Sequence, residues 1–213
     1  TKDIKTIRFG FDKEKMDFKP GQFITIFLKG TKKPAAQYSI ASAPNEKYLE
    51  ITVKPVGEFS TRLCNLKIGD EVRIRGPFGN FYFDGQFKND VVLIAGGIGI
   101  CPFRSMIENS IKKSIKNKII VLYSCRTSED VVCYNELKNI KAKNIKIIFT
   151  ITREKKGGFE NGRIDANMIK KYVKDIENSM YYLCGLNDMV NGVKEMLKEL
   201  GVKEENIKAE SWG

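Results

Sequence analysis

The residues best suited to bind a ligand form a glycine-rich turn, GGIGICP at positions 96–102. Gly96, Gly97 and Gly99 allow the backbone to approach a bulky group, and Pro102 suits the first position of a following helix. A helix start offers free amides and about half a positive charge. We therefore expect an anion at this turn, and a dinucleotide pyrophosphate fits best. The alternative is a tight turn without a ligand, because the GxGxxP spacing departs from the GxGxxG dinucleotide motif.

The composition excludes several kinds of chemistry. Histidine is absent, so imidazole-based acid–base catalysis and nearly all catalytic zinc sites are excluded. The five cysteines are odd in number and include no CxxC pair, which argues against a disulfide framework, a structural zinc site and an iron–sulfur cluster. We predict no metal site, and an enzyme of this composition would depend on a bound organic cofactor.

The two halves of the chain show different hydrophobic periods. In the first half, apolar and polar side chains alternate, as in YLEITVKPV, where Leu49 and Ile51 share one face and Glu50 and Thr52 the other. Turn signals divide this half into five or six short strands. A small antiparallel barrel is the fold that closes such a sheet without exposed edges.

After the linker GQFKND, apolar strands alternate with amphipathic helices. The predicted strands are VVLIA, KIIVLYSC, IKIIFTI, MYYLC and IKAESW, and helical spacing runs over residues 103–115, 169–176 and 193–200. This βαβ repetition predicts a parallel sheet with helices on both faces. The predicted organisation is an N-terminal antiparallel Greek-key β-barrel at residues 1–87 and a C-terminal Rossmann-like α/β domain at residues 88–213.

Four segments, in chain order, resemble motifs of the ferredoxin–NADP⁺ reductase superfamily of flavoenzymes. QYSIASAP is similar to the RxYS flavin motif, GEFST to the phosphate loop, GGIGICP to the GGxGxxP nicotinamide loop and CGLNDM to the CGPxxM segment. GPFGNF and the ending AESW add to the resemblance, which covers nearly the whole chain. It implies a flavin-binding barrel followed by a nicotinamide-binding domain, with the two rings aligned for hydride transfer in the cleft between them.

The resemblance implies three catalytic positions. Ser39 would place its hydroxyl near the flavin nitrogen that accepts hydride, Cys184 would lie near the reactive carbon of the nicotinamide, and Glu210 near both rings. Ligands gather at the carboxyl ends of parallel strands, which favours a site role for Cys184. The alternatives are an inert buried thiol at Cys184 and a solvated surface acid at Glu210.

Other matched positions are implied to bind the cofactors. Tyr38 would stack on the isoalloxazine ring, unless it is a packed strand residue of the barrel, and Trp212 would shield the ring face where nicotinamide docks. The further flavin contacts are Ser39, Ile40, Lys54, Gly57, Ser60, Thr61 and Arg62. The contacts to the nicotinamide dinucleotide are Gly96, Gly97, Gly99, Pro102, Arg126, Thr152, Arg153, Cys184, Gly185 and Met189.

One position departs from the family pattern. The flavin motif carries an arginine two residues before its tyrosine, and this chain has Ala36 there. Arg62 and Lys54 are the candidates to supply the charge that holds the flavin phosphate. The alternative is weak flavin binding or a different position of the phosphate end. The departure leaves both FAD and FMN open, and FAD is favoured because it is the commoner flavin in the family.

The choice between NADPH and NADH depends on the residues that follow the parallel strands. Thr152 and Arg153 follow the third strand, similar to the Ser-Arg pair of NADP-binding members, and Arg126 follows the second. No acid comes directly after the second strand to bind a free ribose hydroxyl, although Glu129 and Asp130 come soon after. These residues favour NADPH, and a solvated basic loop is the alternative.

The net charge of +11 comes from 37 basic and 26 acidic residues. It indicates either lysine-rich solvated faces or a positive surface that steers an acidic partner protein. We find no pattern typical of nucleic-acid recognition, and no apolar stretch reaches the ~20 residues that span a membrane. The first residues lack the apolar centre of a secretory signal, so we expect an intracellular, cytoplasmic protein.

The resemblance to the reductase superfamily implies a flavoprotein oxidoreductase. It would transfer hydride between NAD(P)H and bound FAD and exchange electrons with a separate carrier, such as an acidic ferredoxin. One alternative is the reductase subunit of a larger oxygenase, hydrogenase or dehydrogenase complex. Another is a flavin-poor regulatory subunit that keeps the fold without turnover, which Ala36 motivates.

Overall fold

The chain forms two compact units in a computed structural model that describes residues 4–11, 15–30, 32–86 and 88–212. The first unit comprises Thr1–Asp84 with Cys101–Lys113, and the second comprises Gly85–Ile100 with Ser114–Gly213. The predicted domain boundary falls at Phe87, which lies outside the described residues, as do the ends of the chain at residues 1 and 213. That boundary therefore stays a prediction.

The first unit is built on antiparallel strands, as the alternating pattern predicts. Its strands are β1 (Lys5–Phe9), β2 (Phe23–Phe27), β3 (Ala35–Ser39), β4 (Leu49–Val53) and β5 (Arg73–Phe78). They form a two-stranded sheet, β1–β4, and a three-stranded sheet in the order β3–β2–β5. Ile24 and Ile26 of β2 are fully buried and share a core with Ile51 of β4. The antiparallel N-terminal fold is confirmed.

Two helices pack on these strands. The first, α1 (Glu58–Cys64), was not predicted, because its segment was interpreted as a phosphate loop. Phe59 and Leu63 lie four residues apart on one helix face, and both join the core. The second, α2 (Ile100–Lys112), follows the glycine turn in sequence but packs with the N-terminal strands.

The polar side of β4 does not face water, contrary to what its alternation suggests. All five residues of β4 are buried, including Glu50 and Thr52. The physical reason is that side chains of α2 reach this side of the strand: Arg104 forms an ion pair with Glu50. An alternating pattern therefore marks two faces here without marking which of them is solvated.

The second unit contains one parallel sheet. Its strands are β6 (Val91–Gly96), β7 (Ile119–Cys125), β8 (Ile145–Ile151), β9 (Glu160–Asn161), β10 (Met180–Leu186) and β11 (Ile207–Trp212), and its helices are α3 (Tyr134–Lys138), α4 (Ala166–Tyr172) and α5 (Asn187–Glu199). The order is β11–β10–β6–β7–β8–β9, and every pair is parallel. This confirms the Rossmann-like prediction, to which the structure adds the short strand β9.

Two predicted helices end earlier than their apolar spacing suggested. Helix α2 ends before Ile115, where Ser114 adopts a left-handed φ of 50°, and α4 ends at Tyr172. Helix α5 ends as expected, with Gly201 beyond it at a φ of 85°. Within the described ranges, no helix combines the length and apolar character needed to cross a membrane.

Candidate functional site

The glycine turn packs tightly against the end of β10. A Cβ atom added at Gly99 would lie 2.6 Å from the carbonyl carbon of Cys184 and closer still to its oxygen. At Gly96 and Gly185, an added Cβ would lie 2.7 Å and 2.8 Å from the sulfur of Met189. Gly97 differs, because its φ is +54° and the space beside it is open. The turn is thus a backbone cradle with one open side, which suits a pyrophosphate.

Pro102 corrects one detail of the sequence prediction. It is the third residue of α2 rather than the first, because the helix begins at Ile100 after a short 3₁₀ turn over Gly97–Gly99. The first four amides of a helix have no intrahelical partner. A proline at this position therefore costs the helix no hydrogen bond.

Strand register places Cys184 beside two other predicted segments. Cys184 of β10 is fully buried and lies opposite Ala95 of β6 and Glu210 of β11. Leu186 and Trp212, at the carboxyl ends of the same strands, are also register partners, and both are exposed. The parallel sheet thus brings Cys184, Glu210 and the glycine turn to one edge, where nucleotides bind in such sheets.

Glu210 is half-buried, and this burial raises its pKa from the ordinary value of 4.5 to about 7. The folded protein therefore binds the Glu210 proton more tightly than the unfolded chain does. Between about pH 4.5 and 7 the unfolded state carries fewer protons at this group, so its contribution to stability falls as the pH rises. The surface-acid alternative for Glu210 does not fit this burial.

We expect the melting temperature of the wild type to fall as the pH rises from 5 to 7. In the Glu210→Gln variant this fall should be smaller, because glutamine does not titrate. Thermal unfolding at half-unit pH steps measures the difference between the two proteins. Glu205→Gln serves as the control, because Glu205 is exposed and the substitution removes the same carboxylate from a solvated position. An identical pH dependence in wild type and Glu210→Gln would contradict the assignment.

Tyr38 lies on β3 with its ring stacked on Phe59 of α1, at 6.4 Å between centroids and 24° between planes. It is half-buried, and burial raises the pKa of its hydroxyl to about 12. Ser39 is the last residue of β3, and Ile40 is buried with its N–H donating to the Gln22 carbonyl at 2.9 Å. The start of the predicted flavin motif thus lies on β3, where Tyr38 packs against the core as its alternative interpretation described.

The segment predicted to bind the flavin phosphate is shaped by Ser60. Its hydroxyl donates to the Gly57 carbonyl and accepts from the Val56 and Gly57 amides, at 3.0–3.1 Å. These three bonds use the one donor and two acceptor positions of a hydroxyl. Ser60 thus fixes the turn and occupies the N–H and carbonyl of Gly57, although nothing lies within 4 Å of a Cβ added at Gly57. Thr61 is exposed.

The cations proposed to replace the missing arginine lie in different elements. Ala36 is half-buried on β3, opposite Ile26. Arg62 is exposed in the last turn of α1 and donates to the Gly30 carbonyl at 2.9 Å. Lys54 is exposed directly after β4. Their role in holding a flavin phosphate stays a prediction.

The loops after β7 and β8 bring three further predicted residues together. The Arg153 N–H donates to the Arg126 carbonyl at 2.8 Å, and the Thr152 N–H donates to the same carbonyl at 3.2 Å. The Thr152 hydroxyl donates to the Cys125 carbonyl at 3.4 Å. Both arginine side chains are exposed. The sequence indicated only which strand each residue follows, and the structure places their main chains in contact.

Sequence reasoning missed two groups of charged residues. Glu50 pairs with Arg104 and with Arg8, whose Nε lies 2.6 Å from Glu50 Oε2. Glu154, after β8, accepts a hydrogen bond from the Ser128 N–H at 2.6 Å. Neither pairing has a local sequence signal, because the partners come from separate elements.

Comparison with known proteins agrees with this arrangement. Residues 1–83 match the oxidoreductase FAD-binding domain family, and residues 93–195 match the oxidoreductase NAD-binding domain family. The FAD/NAD-binding domain of a nitric oxide dioxygenase from Vibrio cholerae superposes with a TM-score of 0.88 at 25% identity, covering 99% of this chain and 92% of that one.

Two curated relatives extend the comparison. The gamma subunit of sulfhydrogenase 1 from Pyrococcus furiosus is 33% identical over 201 residues, which cover 91% of this chain and 68% of the relative. The flavohemoprotein of Bacillus subtilis is 30% identical over 208 residues, which cover 92% of this chain and 52% of the relative. The chain thus spans about half the length of the flavohemoproteins that it matches.

The fold and the glycine cradle define a flavin- and nicotinamide-dependent oxidoreductase with one domain for each cofactor. The chain belongs to the ferredoxin–NADP⁺ reductase superfamily. Its cofactors are FAD and a nicotinamide dinucleotide. The open side of the glycine cradle at Gly97 leaves room for the dinucleotide, while the roles of Tyr38 and Gly57 in binding the flavin stay predictions.

Proposed function

We propose that this chain accepts hydride from a reduced nicotinamide dinucleotide onto FAD and passes electrons to a separate acidic carrier protein, such as a ferredoxin. The observation that supports it most is the packing of Gly99 against the Cys184 carbonyl. Both residues lie within residues 93–195, which match the NAD-binding family. FAD, when bound, supplies the chemistry of accepting two electrons as hydride and releasing them singly.

Each predicted catalytic residue has a task in this proposal. Tyr38 packs against the flavin ring, and Ser39 hydrogen-bonds to the ring edge. Cys184 packs its carbonyl against the glycine turn, and its thiol is fully buried within the chain, as the inert-thiol alternative describes. Glu210, with a pKa of about 7, holds a proton in much of the population at neutral pH and donates a hydrogen bond there.

The acidic carrier is proposed from charge. A net charge of +11 attracts an acidic protein and raises its association rate at low salt. A cytoplasmic location, expected from the sequence, belongs to the same proposal, and cell fractionation with an antibody tests it.

A second candidate function is that of a reductase component within a larger complex. Two relatives are named as parts of assemblies. One is the gamma subunit of sulfhydrogenase 1, and the other is a component of the Na⁺-translocating NADH-quinone reductase of Pasteurella multocida, which is 31% identical over 197 residues. Purification from the native source separates the candidates, because stoichiometric copurifying chains favour the complex and a lone chain favours the free carrier reductase.

The proposed function predicts a yellow protein that its nucleotide bleaches. After incubation with FAD and removal of the excess, we expect flavin absorbance bands that disappear when NADH or NADPH is added without oxygen. Stopped-flow absorbance measures the rate. A protein with no flavin bands, and no recovery on adding FAD, would instead support the flavin-poor regulatory subunit.

The same assay tests Glu210. We expect Glu210→Ala to slow flavin reduction about 10-fold or more with little change in nucleotide affinity, because the residue acts on the reacting rings rather than on the rest of the dinucleotide. Glu205→Ala is the matched exposed control. A normal reduction rate in Glu210→Ala would remove Glu210 from the catalytic residues.

A further inference from the structure

The loops after β7 and β8 are fastened together by their main chains. The amides of Thr152 and Arg153 both donate to the Arg126 carbonyl, at 3.2 Å and 2.8 Å. In chain order, β6 is the first strand of the parallel sheet, and these loops follow the second and third strands, β7 and β8. In nucleotide-binding parallel sheets, the end of the second strand is where the adenosine ribose is recognised.

Glu154 crosses from the second of these loops to the first. Its Oε1 accepts a hydrogen bond from the Ser128 N–H at 2.6 Å. The hydrogen bonds from Ser128 hold the pKa of Glu154 below its usual range, and the nearby Lys156 contributes to the lowering. The carboxylate is therefore ionised at neutral pH. No acid follows β7 directly in the sequence, but the fold brings Glu154 there from the loop after β8.

Polar groups of the loop after β7 already form hydrogen bonds with other residues of the chain. The Thr127 amide and hydroxyl both donate to the Asp130 carboxylate, at 3.0 Å and 2.8 Å. The Ser128 hydroxyl accepts from Lys156 Nζ at 2.9 Å. A 2′-phosphate needs several hydrogen-bond donors. In this loop the amides of Thr127 and Ser128 already donate to the carboxylates of Asp130 and Glu154. It would also bring negative charge beside Glu154 and Asp130.

We infer that Glu154 is a specificity-determining residue that accepts a hydrogen bond from the free ribose hydroxyls of NADH and disfavours the 2′-phosphate of NADPH. This inference rests on the proposed use of a nicotinamide dinucleotide. It reverses the preference expected from sequence, which relied on Thr152 and Arg153. The side chains of Arg126, Arg153 and Glu154 are all exposed, so solvent and salt screen their charges alike. The inferred preference therefore rests on the amides that Glu154 and Asp130 already occupy.

The test compares nucleotide binding in three proteins that all carry FAD. Isothermal titration with NAD⁺ and with NADP⁺ gives two dissociation constants for wild type, Glu154→Gln and Glu199→Gln. Glutamine keeps an oxygen that accepts from Ser128 while removing the charge. Glu199 is exposed at the end of α5, so Glu199→Gln makes the same charge change away from these loops. Circular dichroism confirms that each variant is folded.

We expect wild type to bind NAD⁺ at least about tenfold more tightly than NADP⁺, because like charges brought together at a binding site are strongly unfavourable. Glu154→Gln should narrow this ratio about tenfold, and Glu199→Gln should leave it unchanged. A ratio that Glu154→Gln does not alter, or wild type binding NADP⁺ more tightly, overturns the inference. Selective loss of NADP⁺ binding in Arg153→Ala would then support the 2′-phosphate site expected from sequence.

Flavin reduction separates this inference from the proposed function. If the binding ratio responds to Glu154→Gln but neither reduced nucleotide bleaches the flavin, the inference stands and the proposed hydride transfer fails. If both nucleotides bleach the flavin but Glu154→Gln does not alter the ratio of the NAD⁺ and NADP⁺ dissociation constants, hydride transfer stands and the inference fails. Binding of neither nucleotide overturns both.

Discussion

Gly99→Ala is expected to abolish tight nucleotide binding and to destabilise the second unit by about 3 kcal/mol. The added Cβ would lie 2.6 Å from the carbonyl carbon of Cys184. The backbone fixes the positions of both atoms, so neither can rotate away. The turn must therefore move off β10, which disrupts the cradle proposed to hold the pyrophosphate. We expect the dissociation constant for NADH to rise more than about tenfold, because the amides of the turn lose their alignment.

Two measurements check this result. Titration calorimetry gives the nucleotide affinity, and urea unfolding followed by fluorescence gives the stability. Trp212 is the single tryptophan of the chain and lies on β11, so its emission reports the parallel sheet. The FAD concentration is held constant, since a bound ligand adds to apparent stability.

Gly192→Ala is the matched control. Gly192 lies inside α5 with nothing within 4 Å of an added Cβ. Alanine there should stabilise the protein by about 0.5–1 kcal/mol, because glycine is a poor helix former, and should leave nucleotide affinity unchanged. Wild-type affinity and stability in Gly99→Ala would show that the close approach of the turn to β10 is not required.

Glu50→Ala is expected to cost about 3–5 kcal/mol of stability in the first unit. Glu50 is 1% exposed, and it pairs with Arg104, whose side chain is 10% exposed. Arg104 also lies 3.0 Å from Glu108 and donates to the Ala41 carbonyl at 3.3 Å. Removing the central carboxylate leaves a buried guanidinium with only part of its charge compensated. Urea unfolding followed by far-ultraviolet circular dichroism measures the loss.

Further variants show whether the buried charge is the cause. Glu50→Gln keeps the volume and one accepting oxygen but loses the charge and one of the two contacts with Arg8 and Arg104. It should therefore cost less than Glu50→Ala while still weakening the pair with Arg104. The double change Glu50→Leu with Arg104→Met should recover much of the stability, because a well-packed apolar pair is often as stable as a buried ion pair.

Lys198→Ala provides the surface comparison. Lys198 pairs with Glu195 at 3.3 Å, and both side chains are exposed. We expect its loss to change stability by less than about 1 kcal/mol. If Glu50→Ala and Lys198→Ala cost the same, Glu50 does not act as a buried partner.

Much of the fold was predictable because its signals are local. Alternation in YLEITVKPV predicted a strand, and β4 occupies Leu49–Val53. The apolar run before Gly96 predicted the first parallel strand, and β6 ends there. The same local reasoning failed at Glu50, because alternation separates two faces of a strand but does not reveal that α2 covers the polar one. It also missed α1, whose seven residues are too few to show a clear helical period.

The sequence by itself determined the two-domain class, because hydrophobic periodicity is set within a few residues. Its resemblance to the reductase superfamily implied a flavin and a nicotinamide dinucleotide, while the motifs expected to bind them stay predictions. Only the tertiary structure decided which side chains meet. Glu154 reaches Ser128 across 26 positions, and Arg104 reaches Glu50 across 54. The physical reason is that sheet order and helix packing bring distant segments together, and the charge and burial of a side chain are properties of that assembled neighbourhood.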